Sequence, residues 1–138
     1  MSIGDVNAIL RAYLAAQTTL TAVVGTQIYC PRVPEGVTLP ALAFFTRGGT
    51  SNPHIPDLPE PSVQFDCWGA TPIAAREVYR KLYDVLQGIQ NIKVTVAGTD
   101  YYIKSAVEEV TGQDIQDEVY PNYSRVITFF RIMIQAES

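Results

Sequence analysis

The sequence predicts an α+β fold: a mainly antiparallel sheet with two main helices on one face and a long β-hairpin loop. Three observations lead to this prediction. Two stretches repeat apolar residues at helical spacing, several shorter runs alternate apolar and polar residues as strands do, and a proline-rich segment separates two of those runs. No internal repeat or linker divides the chain, so we expect residues 1–138 to form a single domain.

Both main helices have recognisable start and stop signals. The first is expected to end near Gln17, and its apolar stripe is Val6, Ile9, Leu10, Tyr13 and Leu14. The second begins at Thr71-Pro72, because threonine caps a helix and proline is tolerated at its first position, and it ends at Gly88. Its apolar stripe is Ala75, Val78, Tyr79, Leu82, Val85 and Leu86. Residues 18–25 predict a short helix between the first helix and the first strand.

The first hairpin is predicted around the proline-rich segment. Residues 28–30 form a brief strand and residues 39–47 a longer one, which begins at Pro40. Residues 48–61 contain four prolines and no periodicity, which is typical of a long exposed loop. Residues 62–68 alternate again, so one face carries Val63, Phe65 and Cys67 and the other carries Gln64, Asp66 and Trp68.

The last third of the sequence predicts a second hairpin and a final strand. Residues 92–97 and 101–110 flank the turn Gly98-Thr99-Asp100, and residues 111–121 read as a polar connector. The final strand, residues 125–136, has Val126, Thr128, Phe130, Ile132 and Ile134 on one face and Ile127, Phe129, Arg131 and Met133 on the other. Both faces are largely apolar. Because two helices cover one face only, the second face requires cover from the long hairpin, from curvature of the sheet or from another subunit.

Composition favours a protein that works within an assembly. Charged residues make up 17% of the chain, whereas soluble domains average about 25%, and a surface poor in charge suits burial against other subunits.

The net charge is −4 and the basic residues form no cluster beyond Arg80-Lys81, so we expect no direct nucleic-acid recognition. No stretch reaches membrane-spanning length and residues 1–5 lack the pattern of a leader, so we expect no membrane partner and synthesis in the cytosol.

The sequence contains no recognisable catalytic arrangement, so we predict that the chain is not an enzyme and uses neither cofactor nor metal. His54 is the only histidine and lies within the proline-rich loop. Gly48-Gly49-Thr50-Ser51 lacks the lysine of a phosphate-binding loop, and the acidic residues between 108 and 118 lack the spacing of a calcium loop. Cys30 and Cys67 lie 37 residues apart and are expected to be reduced core thiols.

Several apolar segments follow one another in an order that is informative about the family. They are Leu20-Thr21-Ala22-Val23-Val24-Gly25 with Gln27-Ile28-Tyr29, Pro40-Ala41-Leu42-Ala43-Phe44-Phe45, Val63-Gln64-Phe65-Asp66-Cys67-Trp68-Gly69 leading into Thr71-Pro72, and Tyr123-Ser124-Arg125-Val126-Ile127. Over about residues 5–135, the sequence resembles the tail-completion family of long-tailed bacteriophages, of which prophages and gene transfer agents carry similar proteins.

The resemblance implies a structural virion protein. Members of this family are tail terminators, or tail-to-head joining proteins, that form a hexameric ring on the finished tail tube. For this chain it implies a homo-oligomer in the form of a hexameric ring that contacts the tail tube protein and the head–tail connector protein. Such a ring caps the tube, terminates tail assembly and provides the surface for head attachment. Its place is the virion, at the tail end near the head, after assembly in the bacterial host cytoplasm.

Residues for contacts with other subunits or with the tail tube are expected in the proline-rich loop and on the second sheet face. A ring is closed by heterologous contacts, in which one side of a subunit complements a different side of its neighbour. A sheet surface and a long loop are suited to form such contacts. The candidate residues are Gly48, Gly49, Asn52, His54, Ile55, Leu58, Trp68, Phe129 and Arg131.

Two alternative functions remain open from the sequence. The first is a neighbouring position in the virion, as a head-completion or neck protein or another ring-forming tail component, because one scaffold can serve several adjoining rings. The second is a small-molecule-binding or enzymatic α+β domain with its pocket between the hairpin and the sheet. That alternative predicts a concave pocket in which polar groups converge.

Overall fold

Three helices and six strands form the part of the chain that the structure describes, which comprises residues 6–30, 39–51, 59–116 and 124–136 of a computed structural model. The helices are α1 (Val6–Ala15), α2 (Thr18–Val24) and α3 (Pro72–Leu86). The strands are β1 (Ile28–Tyr29), β2 (Ala41–Ser51), β3 (Pro59–Gly69), β4 (Gln90–Val96), β5 (Thr99–Gln116) and β6 (Ser124–Ala136). The predicted α+β class is confirmed.

All the strands belong to one mixed sheet. Their spatial order is β1-β2-β3-β6-β5-β4. The short β1 runs parallel to β2, whereas all the other pairs are antiparallel. The sheet is therefore mainly antiparallel, as predicted, and its one parallel pair lies at an edge.

The core lies between the helices and one face of the sheet. Alternate strand residues point into it, and three phenylalanines at its centre, Phe44, Phe65 and Phe130, are completely buried. Their rings are neighbours, with centroids 5.9 Å apart for Phe44 and Phe65 and 5.6 Å apart for Phe65 and Phe130. The apolar stripe predicted for α3 is buried at every position. On β6 the predicted alternation is confirmed, because Val126, Thr128, Phe130, Ile132 and Ile134 are all buried.

The sheet curls around the helices. α1 packs against β4 at one edge and against β1 and β2 at the other, whereas α3 lies across β3, β6 and β5. The Tyr13 hydroxyl on α1 donates a hydrogen bond to the Val85 carbonyl on α3, so the two helices are also joined to each other. We call the sheet face that points away from these helices the outer face.

The start of α3 agrees with the prediction in detail. The Thr71 side chain accepts the Ala74 N–H at 3.1 Å, and Pro72 occupies the first helical position. A Cβ atom at Gly69 would lie only 2.4 Å from the Ala75 backbone nitrogen. Only glycine therefore allows the end of β3 to approach the first turn of the helix so closely.

The predicted loop over residues 48–61 is too long, because both strands extend into it. β2 continues to Ser51 and β3 begins at Pro59, with Gly49 opposite Pro61 and a bulge between Thr46 and Gly49. Prolines are tolerated here because β3 pairs with β6 only from Ser62 onward, so this part of β3 has a described strand on one side only. Residues 52–58 lie outside the described residues.

The predicted turn and polar connector also require correction. The turn between β4 and β5 is Ala97-Gly98, with φ of 52° and 82°, the left-handed geometry of a two-residue hairpin turn. It is not Gly98-Thr99-Asp100. Residues 111–116, predicted as connector, continue β5 in register with β6. Three irregularities in that register interrupt the alternation of apolar and polar residues, and they hide the strand in the sequence. Residues 117–123 lie outside the described residues.

Candidate assembly surface

The second half of β5 forms an open edge of the sheet. β4 pairs with β5 only as far as Ser105, which lies opposite Gln90. Just beyond, the Gly88 N–H donates to the Ala106 carbonyl at 3.0 Å. Residues 107–116 then pair with β6 alone among the described strands. An unpaired edge exposes backbone donors and acceptors, so the fold must cover it or another chain can bind there.

Side chains of α3 cover part of this edge. The Gln87 Oε1 atom accepts the Glu108 N–H at 2.8 Å. The Tyr79 hydroxyl accepts the Gly112 N–H at 3.2 Å, and Arg76 Nη2 donates to the Gly112 carbonyl at 3.1 Å. These bonds replace bonds that a further strand would make. Strand addition is therefore blocked at these two positions of β5.

A hydrogen-bond network extends from the same helix to β6. The Tyr79 hydroxyl donates to Glu108 Oε2 at 2.7 Å. The fully buried Thr128 hydroxyl lies 2.6 Å from the same oxygen and 2.9 Å from the Val110 carbonyl, and donates its single proton to one of them. Burial and the hydrogen bond to Glu108 raise the pKa of the Tyr79 phenol, so it remains a neutral donor. The network joins α3, β5 and β6, and its hydrogen bonds hold these three elements together.

The close contact between Gly112 and Tyr79 explains a glycine in the middle of a strand. A Cβ atom at position 112 would lie 2.7 Å from Cζ of the tyrosine ring. Any other residue would force the ring, and with it the network, out of place. Gly112 therefore allows α3 to lie directly against the edge of β5.

The outer face carries exposed apolar side chains over β5. Val107 and Val110 are 50% and 47% exposed. They lie opposite Arg131 and Phe129 of β6, and the exposed Glu109 between them belongs to a bulge. We call Val107, Glu109 and Val110 the β5 strip. It combines two exposed apolar side chains with a carboxylate.

Polar contacts fix the carboxylate of the β5 strip across the outer face. Glu109 forms an ion pair with Arg131 Nη2 at 3.5 Å and accepts a hydrogen bond from Ser62 Oγ at 2.7 Å. An open depression of about 470 Å³ lies beside it, lined by Ser105, Val107, Glu108, Glu109 and Arg131. Its charged groups bind one another or the helix, so the depression lacks the convergent polar groups that a small-molecule site requires.

The outer face is closed over β2 and β3. Ala41 and Ala43 are completely buried there, and Asp66 is 7% exposed. The Arg125 guanidinium lies 5.0 Å from the centre of the Trp68 ring, a cation–π contact between directly paired residues. This half of the outer face therefore consists of small, packed and paired side chains.

Charge is buried in this closed half. Gln64 Nε2 donates a hydrogen bond to Asp66 Oδ1 at 3.0 Å. Burial raises the pKa of the Asp66 carboxyl, and the hydrogen bond from Gln64 and the charge of Arg125 offset only part of this effect. Within the described residues, Arg125 Nε is a buried nitrogen with no hydrogen-bond partner. Polar burial of this kind weakens the fold unless packing compensates for it.

Other chemical groups in the described ranges have structural surroundings. Cys67 is buried in the core, and Cys30 is half-buried against it. Burial raises the pKa of the Cys67 thiol, which keeps it protonated. No group of three or more His, Cys, Asp or Glu residues within these ranges is placed to hold a metal ion. No described helix is both long enough and apolar enough to cross a membrane.

The predicted contact residues fall into three groups in the structure. Phe129 and Arg131 lie on the open half of the outer face, beside the β5 strip, and Trp68 lies on the closed half. Gly48 and Gly49 lie in β2, where Gly49 marks the end of its bulge. The remaining candidates lie outside the described residues and are Asn52, His54, Ile55 and Leu58.

Sequence reasoning missed the β5 strip itself. Val107 and Val110 belong to a run predicted as strand, but no face was assigned to them. The spacing of three between these valines places both on one face only because a bulge adds a residue between them. A cluster of acidic residues around two valines was the signal that was available in the sequence.

Comparisons with known proteins identify a structural relationship. Neither the comparison with protein families nor the comparison with curated proteins finds a match. Among solved structures, the fold is similar to that of a chain described as "Virion of native gene transfer agent (GTA) particle", with a TM-score of 0.65 and 14% sequence identity. The similarity covers 96% of this chain and 95% of that chain. At this identity the two chains share a fold over almost their whole length.

Proposed function

We propose that this chain is a structural protein of a phage-like virion, which caps the tail tube as a ring, terminates tail assembly and provides the surface for head attachment. The observation that carries the proposal is the fold shared with a chain of a gene transfer agent virion over 96% of this chain and 95% of that one. A fold alone does not define a function, so further support must come from the surface.

The sequence supports a tail-completion role within the virion. Its resemblance to the tail-completion family rests on the segments that become α2, β1, β2, β3, the start of α3 and β6. These segments build the core and its sheet. The resemblance and the structural likeness therefore concern the same scaffold, and both support a phage-like particle.

The exposed surface supports assembly. Val107 and Val110 are about half exposed on a strand without a described neighbour on one side. Exposed apolar side chains beside an open edge suit a protein–protein contact. In the proposed ring, copies of this chain contact one another, and the ring contacts the tail tube protein on one side and the head–tail connector protein on the other. The ring forms in the bacterial host cytoplasm and remains in the virion at the tail end near the head.

Electron microscopy of particles made with and without this protein tests the proposed role. Loss of a tail terminator is expected to give overlong or headless tails, and supplying the protein in trans should restore particles of normal length. Capsids that lose their genome and never acquire tails would instead indicate a head-completion or neck protein. Normal particles in the absence of the protein would contradict both roles.

Solution mass provides a second test. Light scattering of the purified protein, alone and with tail tubes, should detect a hexamer or a ring that forms only on the tube. A protein that remains monomeric in both conditions would contradict the proposed ring.

A further inference from the structure

Two separate groups of large apolar side chains are exposed in the described part of the chain. One group lies on α3, where Ile73 is 83% exposed and Tyr83 is 38% exposed. The other group is Val107 and Val110 of the β5 strip. Ile73 lies on the side of α3 opposite its buried stripe, whereas the β5 strip lies on the outer face of the sheet. Ile73 and the β5 strip therefore point to opposite sides of the molecule.

The two groups also differ in charge. The β5 strip carries the Glu109 carboxylate, whose ion pair with Arg131 is long, at 3.5 Å, and partly exposed. On α3, the Arg80 side chain is 75% exposed, and Lys81 follows it directly. Ile73 and Arg80 are seven residues apart, so they lie on the same side of the helix two turns apart. The ion pairs that Arg80 and Lys81 form with Glu77 are long, at 3.8 Å, and exposed, so they hold these cations weakly.

The chemistry of the β5 edge favours a helix as its partner. The Glu108 N–H and both backbone groups of Gly112 already bind α3 side chains of the same chain. Three irregularities in the β5–β6 register further disfavour an added strand. What remains available on the β5 strip is side-chain surface: Val107 and Val110 are apolar, and the Glu109 carboxylate forms a long, partly exposed pair with Arg131, which a second cation can share. A helix surface that presents an apolar side chain and a cation complements it.

We infer that the β5 strip of one copy binds the α3 surface formed by Ile73 and Arg80 in a second copy of this chain. Because the two surfaces point to opposite sides of one molecule, they cannot meet within it. The resulting contact is heterologous, and contacts of this type form a ring when the rotation between neighbouring copies closes. The inference rests on the proposed ring and specifies which surfaces form its subunit contact.

Cysteine cross-linking between two differently tagged variants tests the contact. One carries Ile73→Cys and the other Val107→Cys, both in a Cys30→Ser background, because Cys30 is only half-buried whereas Cys67 is buried. Mild oxidation of the mixture should give a disulfide-linked heterodimer, and neither variant alone should cross-link to the same extent. The matched control mixes Ile73→Cys with Thr95→Cys, since Thr95 is exposed on β4, away from the β5 strip. This control should remain uncross-linked.

The outcomes separate the inferred contact from the proposed function. An oligomer that shows no Ile73–Val107 cross-link, or one that cross-links equally through Thr95, would overturn the inferred contact and leave the ring intact. A protein that stays monomeric, alone and with tail tubes, would overturn both.

Charge reversal offers an independent measurement of the same contact. Arg80→Glu and Glu109→Lys should each weaken self-association by about tenfold, because each places like charges in contact. Both changes in one chain should restore part of the lost affinity, since the contact between positions 80 and 109 is then reversed between copies, whereas the pair of position 109 with Arg131 within each chain stays broken. Arg11→Glu is the matched control, because Arg11 is an exposed arginine on α1. A double variant that associates no better than either single variant would overturn the inference.

Discussion

The outer face of the sheet has two halves that are built differently. Over β2 and β3 it carries small, completely buried alanines, the nearly buried Asp66 and a tryptophan packed on an arginine. Over β5 it carries valines that are about half exposed and an ion pair between Glu109 and Arg131. The side chains named in the first half are buried or packed within the single chain. The second half leaves apolar side chains exposed to water. We expected the second face to be covered by the long hairpin, by curvature of the sheet or by another subunit. Over β2 and β3 the described side chains named above are largely buried within the chain, whereas cover over β5 stays a prediction.

Residue size accounts for this difference. Ala41 and Ala43 lie opposite Trp68 and Asp66 in the β2–β3 register, so each large or polar side chain has a small neighbour beside it. On β5 the bulge at Glu109 separates Val107 from Val110. A bulged strand bends and twists more strongly, and on this strand the two valines stay about half exposed.

The largest predicted effect is a difference in the free energy of unfolding between substitutions at two adjacent residues of β6, which lie on opposite faces of the sheet. Phe130 is completely buried between β6 and the helices, and Phe130→Ala should lower the free energy of unfolding by about 3–5 kcal/mol. Phe129 points to the outer face and is only half-buried, so Phe129→Ala should cost about 1–2 kcal/mol. Urea denaturation measures both. Equal losses would mean that the outer face is packed as tightly as the core.

The next largest effect is a difference in stability between enlarged side chains in the two halves of the outer face. Ala43→Leu adds atoms where no space is available and should cost about 1–3 kcal/mol. Val107→Leu adds a methylene to a side chain that is 50% exposed and should change stability by no more than about 0.5 kcal/mol. Thermal denaturation of both variants under identical conditions checks this. If Ala43→Leu were neutral, the β2–β3 half would not be closed.

Local patterns in the sequence were sufficient for most of the helices and for β6. Thr71 and Pro72 act within one helical turn, and the alternation along β6 is regular because its register with β3 has no bulge. Such signals need only nearest neighbours in the chain or in the sheet. The same regularity placed Phe129 and Arg131 correctly on one face.

The extent of β5 and the cover of its edge were not predictable in the same way. The bulges in β5 shift the period of its side chains, so a single alternating template fails after Glu108. Tyr79 was assigned to the apolar stripe of α3, which is correct for its ring. Its hydroxyl, however, binds Glu108 and Gly112, which lie 29 and 33 residues further along the chain. No local sequence pattern predicts a contact between residues so far apart in the chain.

A smaller effect concerns the hydroxyl of Tyr79, which covers part of the β5 edge by binding Glu108 and Gly112. Tyr79→Phe removes a donor to Glu108 and an acceptor for the Gly112 N–H, and should cost about 1–2 kcal/mol. Tyr83→Phe is the matched control, since Tyr83 lies one turn further along α3 and is 38% exposed, so its loss should be within about 0.5 kcal/mol. Hydrogen exchange at Gly112 should accelerate only in Tyr79→Phe. Unchanged exchange would show that the helix does not protect this edge.

The smallest effect is a pH dependence that arises in the closed half. Burial raises the pKa of Asp66 in the folded protein above its unfolded value of about 3.9. The folded protein therefore binds this proton more tightly than the unfolded chain does. The resulting stabilisation is present below the unfolded pKa and is lost as the pH rises through the folded-state pKa. We expect Asp66→Asn to gain stability relative to the parent protein over this interval, as measured by urea denaturation at several pH values. A difference that stays constant would mean that Asp66 remains solvated, and the β2–β3 half would then be as open to water as the β5 half.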